Sequence, residues 1–285
     1  RKVSTLSPVR PAAPDHTRDS STRKEAAVTT TDTLQLRDDP DVPRTALGRG
    51  AREQRTTTTV RRLPWGAAIP IAAVSGLLLD AAFPSLGWWP LAFLSIAGGL
   101  WTLMGRSIGG AFLVGLAYGA AFYFTHLMWV VQFLGPIPWV ALAGVESLLF
   151  ALGAIPIALA YRWGALLERR ATRRFLLPVL IAVLWAAREL LLGTWPYSGF
   201  PWGRIGMSQA GGPFAEAASW VGVAGLTLLI VWLCACVVDW AARPAPWRHA
   251  ELLPAAVILA LLLVPAFPTT EAGSLRVGWV QGDGP

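Results

Sequence analysis

Residues 137–161 read IPWVALAGVESLLFALGAIPIALAY, twenty-five positions with one charged side chain, Glu146. A helix rises about 1.5 Å per residue and the bilayer's hydrocarbon core is about 30 Å thick, so a run this long and this apolar reads as a membrane-crossing helix. Six further runs of the same kind occupy residues 65–83, 88–105, 108–131, 175–192, 214–238 and 252–267, the last being the shortest. Pro84, Pro136 and Pro213 fall between runs and Pro138 at the very start of one, where a missing N–H costs least. The expectation is an all-α polytopic membrane protein with seven transmembrane helices.

Composition agrees. Of the 285 residues, 54% are hydrophobic and 14% charged, whereas a soluble domain carries about 25% charged residues. That deficit excludes an ordinary soluble enzyme. Residues 1–62 hold 13 of the 24 Lys and Arg and 8 of the 17 Asp and Glu. This stretch shows neither helical nor strand period and reads as a disordered basic tail. The net charge of +7 divides into +5 on the tail and +2 on the body, which leaves no basic face for nucleic acid. No apolar core of a cleavable signal lies in the first thirty or so residues, and the opening Arg1 suggests a piece of a longer sequence. Cys234 and Cys236 are two apart on a helix and point in directions about 200° apart, so neither a disulfide nor a metal site is expected. No cofactor is called for.

Orientation follows from Lys and Arg, which are in excess in short cytoplasmic loops. With the tail inside, the inner loops receive Arg106, then Arg162, Arg169, Arg170, Arg173 and Arg174, then Arg243 and Arg248, placing 21 of 24 basic residues on one side. Arg204 and Arg276 fall outside, and Arg188 lies within the fifth span. An odd number of spans puts the C-terminal segment on the outer face. Trp88, Trp89, Trp129, Trp139, Trp195 and Trp202 then sit near the outer interface, where indoles collect. The arginines from Arg162 to Arg174 are accounted for by orientation alone.

Between the fifth and sixth spans, residues 193–213 read GTWPYSGFPWGRIGMSQAGGP. The segment is too polar and too rich in glycine to cross the membrane, yet it carries Trp195, Tyr197, Phe200, Trp202 and Arg204. It is either an aromatic anchor at headgroup level or a platform receiving a lipid, with Arg204 meeting a phosphate and the rings lining an acyl path. Glu189, near the outer end of the fifth span, either makes a structural hydrogen bond or orients this loop. Glu146 reads as structural, Asp80 as a wetted span end, His126 as a packing hydrogen-bonder, and Gly115 with Gly119 as a close helix contact. The two cysteines, deep in an apolar span without a base, read as packing residues rather than nucleophiles.

Three segments, FPSLGWWPLAFLS (83–95), LWAAREL through SGFPWGRIGMSQ (184–209) and VGWVQGDGP (277–285), resemble the apolipoprotein N-acyltransferase family of bacterial inner-membrane enzymes. In that family an Arg often stands three residues after the Glu of the fifth span; here the position is Leu192. The resemblance implies a tail over residues 1–62 in the cytoplasm and a membrane domain over 63–268. It also implies a linker and the first strand of a truncated nitrilase-like catalytic domain over 269–285. It further implies acyl transfer from a phospholipid donor to the diacylglyceryl-cysteine N-terminus of an apolipoprotein acceptor. The route is a Cys thioester, with a Glu base and a Lys at the oxyanion. Those three residues are expected beyond Pro285, and the only lysines here, Lys2 and Lys24, lie in the tail. The chain supplies the membrane half, with Glu189, Trp195, Tyr197, Phe200, Trp202 and Arg204 as candidate substrate-binding residues. The competing expectation is a noncatalytic membrane anchor for a partner such as a polyprenol-phosphate mannose synthase. A transporter would call for internal repeats, and none is evident.

Overall fold

A computed structural model describes residues 62–84, 86–164, 170–195, 198–242, 252–270 and 272–280. Among these there are helices, turns and extended segments but no strand. The helices are α1 (Trp65–Ala82), α2 (Pro90–Leu103), α3 (Ile108–His126), α4 (Val130–Leu134), α5 (Pro136–Gly164), α6 (Arg170–Leu192), α7 (Ala218–Ala242) and α8 (Leu252–Leu263). Three short 3-10 turns, Pro201–Gly203, Ile205–Gln209 and Ala215–Ala217, lie between α6 and α7.

Five helices, α1, α3, α5, α6 and α7, are long and apolar enough to cross a membrane. The other two expected spans are helical and apolar but short, with 14 residues in α2 and 12 in α8, or about 21 and 18 Å of rise. Five of the seven expected runs thus meet the length for a crossing outright, and the other two are present as shorter apolar helices among the described residues. The apolar run at 88–105 includes Trp88 and Trp89, which lie in the turn before α2, and ends on Gly105 at φ 68°. The run at 108–131 stops at His126, because the chain turns over 127–129 and restarts as the five-residue α4. Pro136 and Pro138 belong to the first turn of α5 rather than to a loop; an N–H lost there had no helical partner to begin with. Residues 272–280 form neither helix nor strand.

Packing is governed by small residues. A Cβ on Gly115 of α3 would lie 2.6 Å from Ala154 Cβ and 3.0 Å from Ala151 Cα of α5, and one on Gly119 would lie 3.0 Å from Phe150 Cβ. The expected close contact of the Gly115–Gly119 face is thus met by α5. Inside it, Tyr118 stacks on Phe150 with ring centroids 4.8 Å apart, and Trp185 of α6 meets both edge-on. The Tyr118 hydroxyl donates to Ser95 Oγ, which donates to the Ser75 carbonyl at 2.6 Å, joining α3, α2 and α1. At one end of the bundle Arg106 is buried: Nη2 donates to Leu63 O at 2.7 Å and its guanidinium covers Trp65 at 4.5 Å. At the opposite end gather Asp80, Trp89, His126, the α4 turn and the segment after α6.

Gly109, one turn before the close contact, has nothing within 4 Å of a built Cβ. Gly115→Val should therefore lower unfolding free energy by about 1–3 kcal/mol, while Gly109→Val stays near wild type. Denaturant titration in mixed micelles reads both; equal losses would mean that α3 and α5 are not in this register.

Candidate functional site

The site is built around a carboxylate inside the bundle. Glu189, in the last turn of α6, is 7% exposed and fully engaged. Its Oε1 accepts from Trp185 Nε1 at 3.1 Å and from the Ile205 N–H at 3.3 Å, and its Oε2 accepts from Thr227 Oγ1 at 3.0 Å. Thr227 in turn accepts from the Gly206 N–H at 2.9 Å. Two backbone donors of the 205–209 turn are thus fastened, one directly and one through Thr227, to neighbouring helices. Arg188 supplies a cation beside it, Nη2 lying 4.0 Å from Glu189 Oε1, with its guanidinium between Phe150 at 3.9 Å and Trp185 at 4.4 Å. Gly153 of α5 makes the room, since any Cβ there would run into the Arg188 stem. Arg188, read in the sequence as lying within the fifth span, is part of this buried polar cluster.

The chain leaves α6 through a tight turn. Ser198 and Gly199 both have positive φ, at 76° and 74°, and the Phe200 N–H returns to Leu192 O at 2.7 Å. A Cβ on Gly199 would enter the backbone of residues 192–194, so glycine is required by φ and by space together. Beyond it Phe200 and Trp202 stack with centroids 6.0 Å apart, and Trp202 meets Trp129 at 5.1 Å, which meets Phe133 at 6.1 Å. The result is a row of four aromatic rings from two parts of the chain, with Trp202 54% and Phe133 75% exposed. Trp195 is also exposed but makes no ring contact among the described residues. Tyr197 lies outside the described residues. The Arg204 guanidinium lies against Gly193, over the carbonyl end of α6 where negative partial charge collects, and its Nε has no hydrogen-bond partner among the described residues.

The two motif segments quoted above meet here. Gln209, fully buried, donates to Trp89 O at 3.4 Å and to Ser208 Oγ at 2.9 Å, and Trp89 packs edge-on against Phe214 at 5.6 Å. His126 packs against both Phe83 and Phe122, with Nδ1 3.0 Å from Asp80 Oδ1 and Nε2 3.1 Å from Trp202 O. Asp80, expected to be wetted, keeps 27% of its side chain exposed and is also paired, because the end of α1 faces the end of α3. Thr227 and Asp80 are the participants that sequence reasoning missed; a hydroxyl in the middle of an apolar run was the available signal for Thr227. Cys234 is buried and its thiol donates to Phe93 O at 3.5 Å, a packing arrangement. Among the described residues no three His, Cys, Asp or Glu side chains converge as a metal site would require.

Thr227→Val should unfasten Glu189 Oε2 and the Gly206 N–H together at a cost of about 1–3 kcal/mol; Thr227→Ser should restore most of it. Thermal unfolding in lipid nanodiscs measures both, and a Val variant as stable as wild type would remove Thr227 from the network.

The sequence pattern of the apolipoprotein N-acyltransferase N-terminal domain matches residues 75–236, which contain every side chain of this network. The chain is 33% identical over 239 residues to an apolipoprotein N-acyltransferase of Geobacter metallireducens, covering 79% of this chain and 44% of that protein. It is 29% identical over 197 residues to the one from Haemophilus influenzae, covering 68% and 36%. With the Mycolicibacterium smegmatis protein it shares 38% identity over 102 residues, 34% of this chain and 17% of that one. The chain spans less than half the length of these relatives. With its helical bundle and the two motif segments meeting at one end, the chain belongs to the apolipoprotein N-acyltransferase family, in the region of its N-terminal domain.

Proposed function

We propose that this chain is the membrane half of an enzyme that moves an acyl chain from a phospholipid to the diacylglyceryl-cysteine N-terminus of an apolipoprotein. The observation that carries the reading is the aromatic row Phe200–Trp202–Trp129–Phe133, exposed at Trp202 and Phe133, in the same segment as Arg204 and fastened at Ile205 to a buried carboxylate. Rings of this kind present apolar faces to acyl chains, and a guanidinium beside them binds a phosphate oxygen by charge-assisted hydrogen bonds. Trp195, Phe200, Trp202 and Arg204 receive the substrates, Tyr197 belongs to the same segment, and Glu189 orients the segment from beneath.

The chemistry requires a thiol that this network does not hold. In the first step a Cys thiolate attacks the ester carbonyl of the phospholipid. A C–S bond forms, the ester C–O bond breaks, and the lysophospholipid leaves with a proton. In the second the free α-amino nitrogen of the acceptor attacks the thioester, a C–N bond forms and the thiol is regenerated. The Glu, Lys and Cys of these steps belong to a nitrilase-like domain following residue 285. The membrane half holds both lipids so that the carbonyl meets the sulfur in an attack geometry. The protein sits in the bacterial plasma membrane with its N-terminal tail in the cytoplasm and the aromatic end outside. This orientation rests on the 21 basic residues gathered on one side.

Arg204→Ala in a full-length protein should slow thioester formation with a phospholipid about ten- to a hundredfold, the equivalent of losing about 1.5–3 kcal/mol. Wild-type rates at equal membrane abundance would reduce the loop to an interfacial anchor. A reporter fused at Gly273 should be active on the extracytoplasmic side only; cytoplasmic activity would invert the orientation.

A further inference from the structure

His126 touches two groups that can only accept. Asp80 Oδ1, as a carboxylate oxygen, lies 3.0 Å from Nδ1, and the Trp202 carbonyl lies 3.1 Å from Nε2. A neutral imidazole has one N–H, so it can donate to one of these neighbours and must turn a lone pair on the other. Both contacts are satisfied together when the ring carries both protons. Asp80 is the one acidic partner within ion-pairing distance of the ring among the described residues. The Asp80 side chain is 27% exposed. Phe83 and Phe122 both pack against the ring, at centroid distances of 4.4 and 4.8 Å.

We propose that His126 is a doubly protonated positioning residue. As an imidazolium braced by Asp80, it grips the main chain of the outer loop at the Trp202 carbonyl and sets where the Trp202 ring stands. The grip is independent of the Glu189 network, which fastens the same segment three residues later at Ile205 and again at Gly206. Trp202 lies between Phe200 and Trp129 in the aromatic row, so a carbonyl held at residue 202 fixes the middle of the row rather than its ends. This role rests on the reading of that row as the lipid-receiving surface. Asp80 then matters to a loop that it does not touch: it keeps the proton on Nδ1 so that Nε2–H remains free to donate to Trp202. With Asn at position 80 the ring can be neutral, and its Nε2 then loses the proton that holds the loop.

The test uses the full-length enzyme in nanodiscs with ring-15N histidine, comparing wild type with His126→Phe, Asp80→Asn and the double variant. His126→Phe keeps the aromatic packing and removes both hydrogen bonds. The wild-type resonances that vanish in His126→Phe should show two protonated ring nitrogens at neutral pH, and Asp80→Asn should convert one of them to an unprotonated nitrogen. A neutral ring in wild type would overturn the proposal without reference to activity. Each single variant should raise KM for phospholipid about tenfold, as expected for losing one charge-assisted hydrogen bond. The same variants should leave kcat within twofold, and the double variant should match the singles. Additive losses, or an unchanged KM with the imidazolium present, would overturn the positioning role. A wild-type enzyme with both nitrogens protonated but no acyl transfer at all would instead refute the proposed function and leave the protonation state standing.

Discussion

A carboxylate placed inside a lipid-facing bundle is tolerable only if its oxygens are filled, and the arrangement around Glu189 follows from that requirement. Moving an ion out of water costs several kcal/mol even after relaxation, and inside a membrane there is no water to lend. The oxygens are filled by an indole of the same helix one turn earlier, a main-chain N–H of the following loop and a hydroxyl of α7. Each donor comes from a different part of the chain, so satisfying the charge brings α6, the loop and α7 together. Arg188 contributes the countercharge through geometry looser than a hydrogen bond, and its own cation is spread over two aromatic faces. The loop above can then be glycine-rich and polar, because its position is set from below.

The same logic explains what could be read from the sequence and what could not. Helical class and the approximate position of every long helix were legible, since twenty or so apolar residues have one stable solution in hydrocarbon. The lengths of α2 and α8 were not legible. Whether an apolar residue continues a helix or turns at its end depends on neighbours such as Trp89 against Phe214, and hydropathy is blind to that. Within the site, Glu189 and its loop could be singled out because a charge at membrane depth is expensive wherever it occurs. Its relation to Trp185 was implicit in their spacing of four. Thr227 was hidden, being thirty-eight residues away and costing little in a membrane helix. Asp80 was legible as a wet span end, but its pairing was not, because the histidine beside it comes from another helix.

The family likeness and the geometry select the same residues by different routes. The FPW and SQ positions of the second motif are those that stack outward at Phe200 and Trp202 or turn inward at Ser208 and Gln209. The first motif supplies Trp89, whose carbonyl receives Gln209. The motifs therefore record one contact between distant segments, with an exposed face and a buried face. A substitution on the buried face will be felt as stability, whereas one on the exposed face leaves this contact in place.

Gly222 interrupts α7 with φ 71°, a conformation open to glycine, four residues after the helix begins and five before Thr227. The piece of α7 on the near side of that break is tied to the segment after α8. Trp220 Nε1 donates to Pro265 O at 2.7 Å, the Phe267 N–H donates to Ser219 Oγ at 3.0 Å, and the two rings meet edge-on. Gly222 is an elbow: the direction of residues 218–221, and with it the tie to residues 265–267, is set apart from the helix axis that carries Thr227 to Glu189.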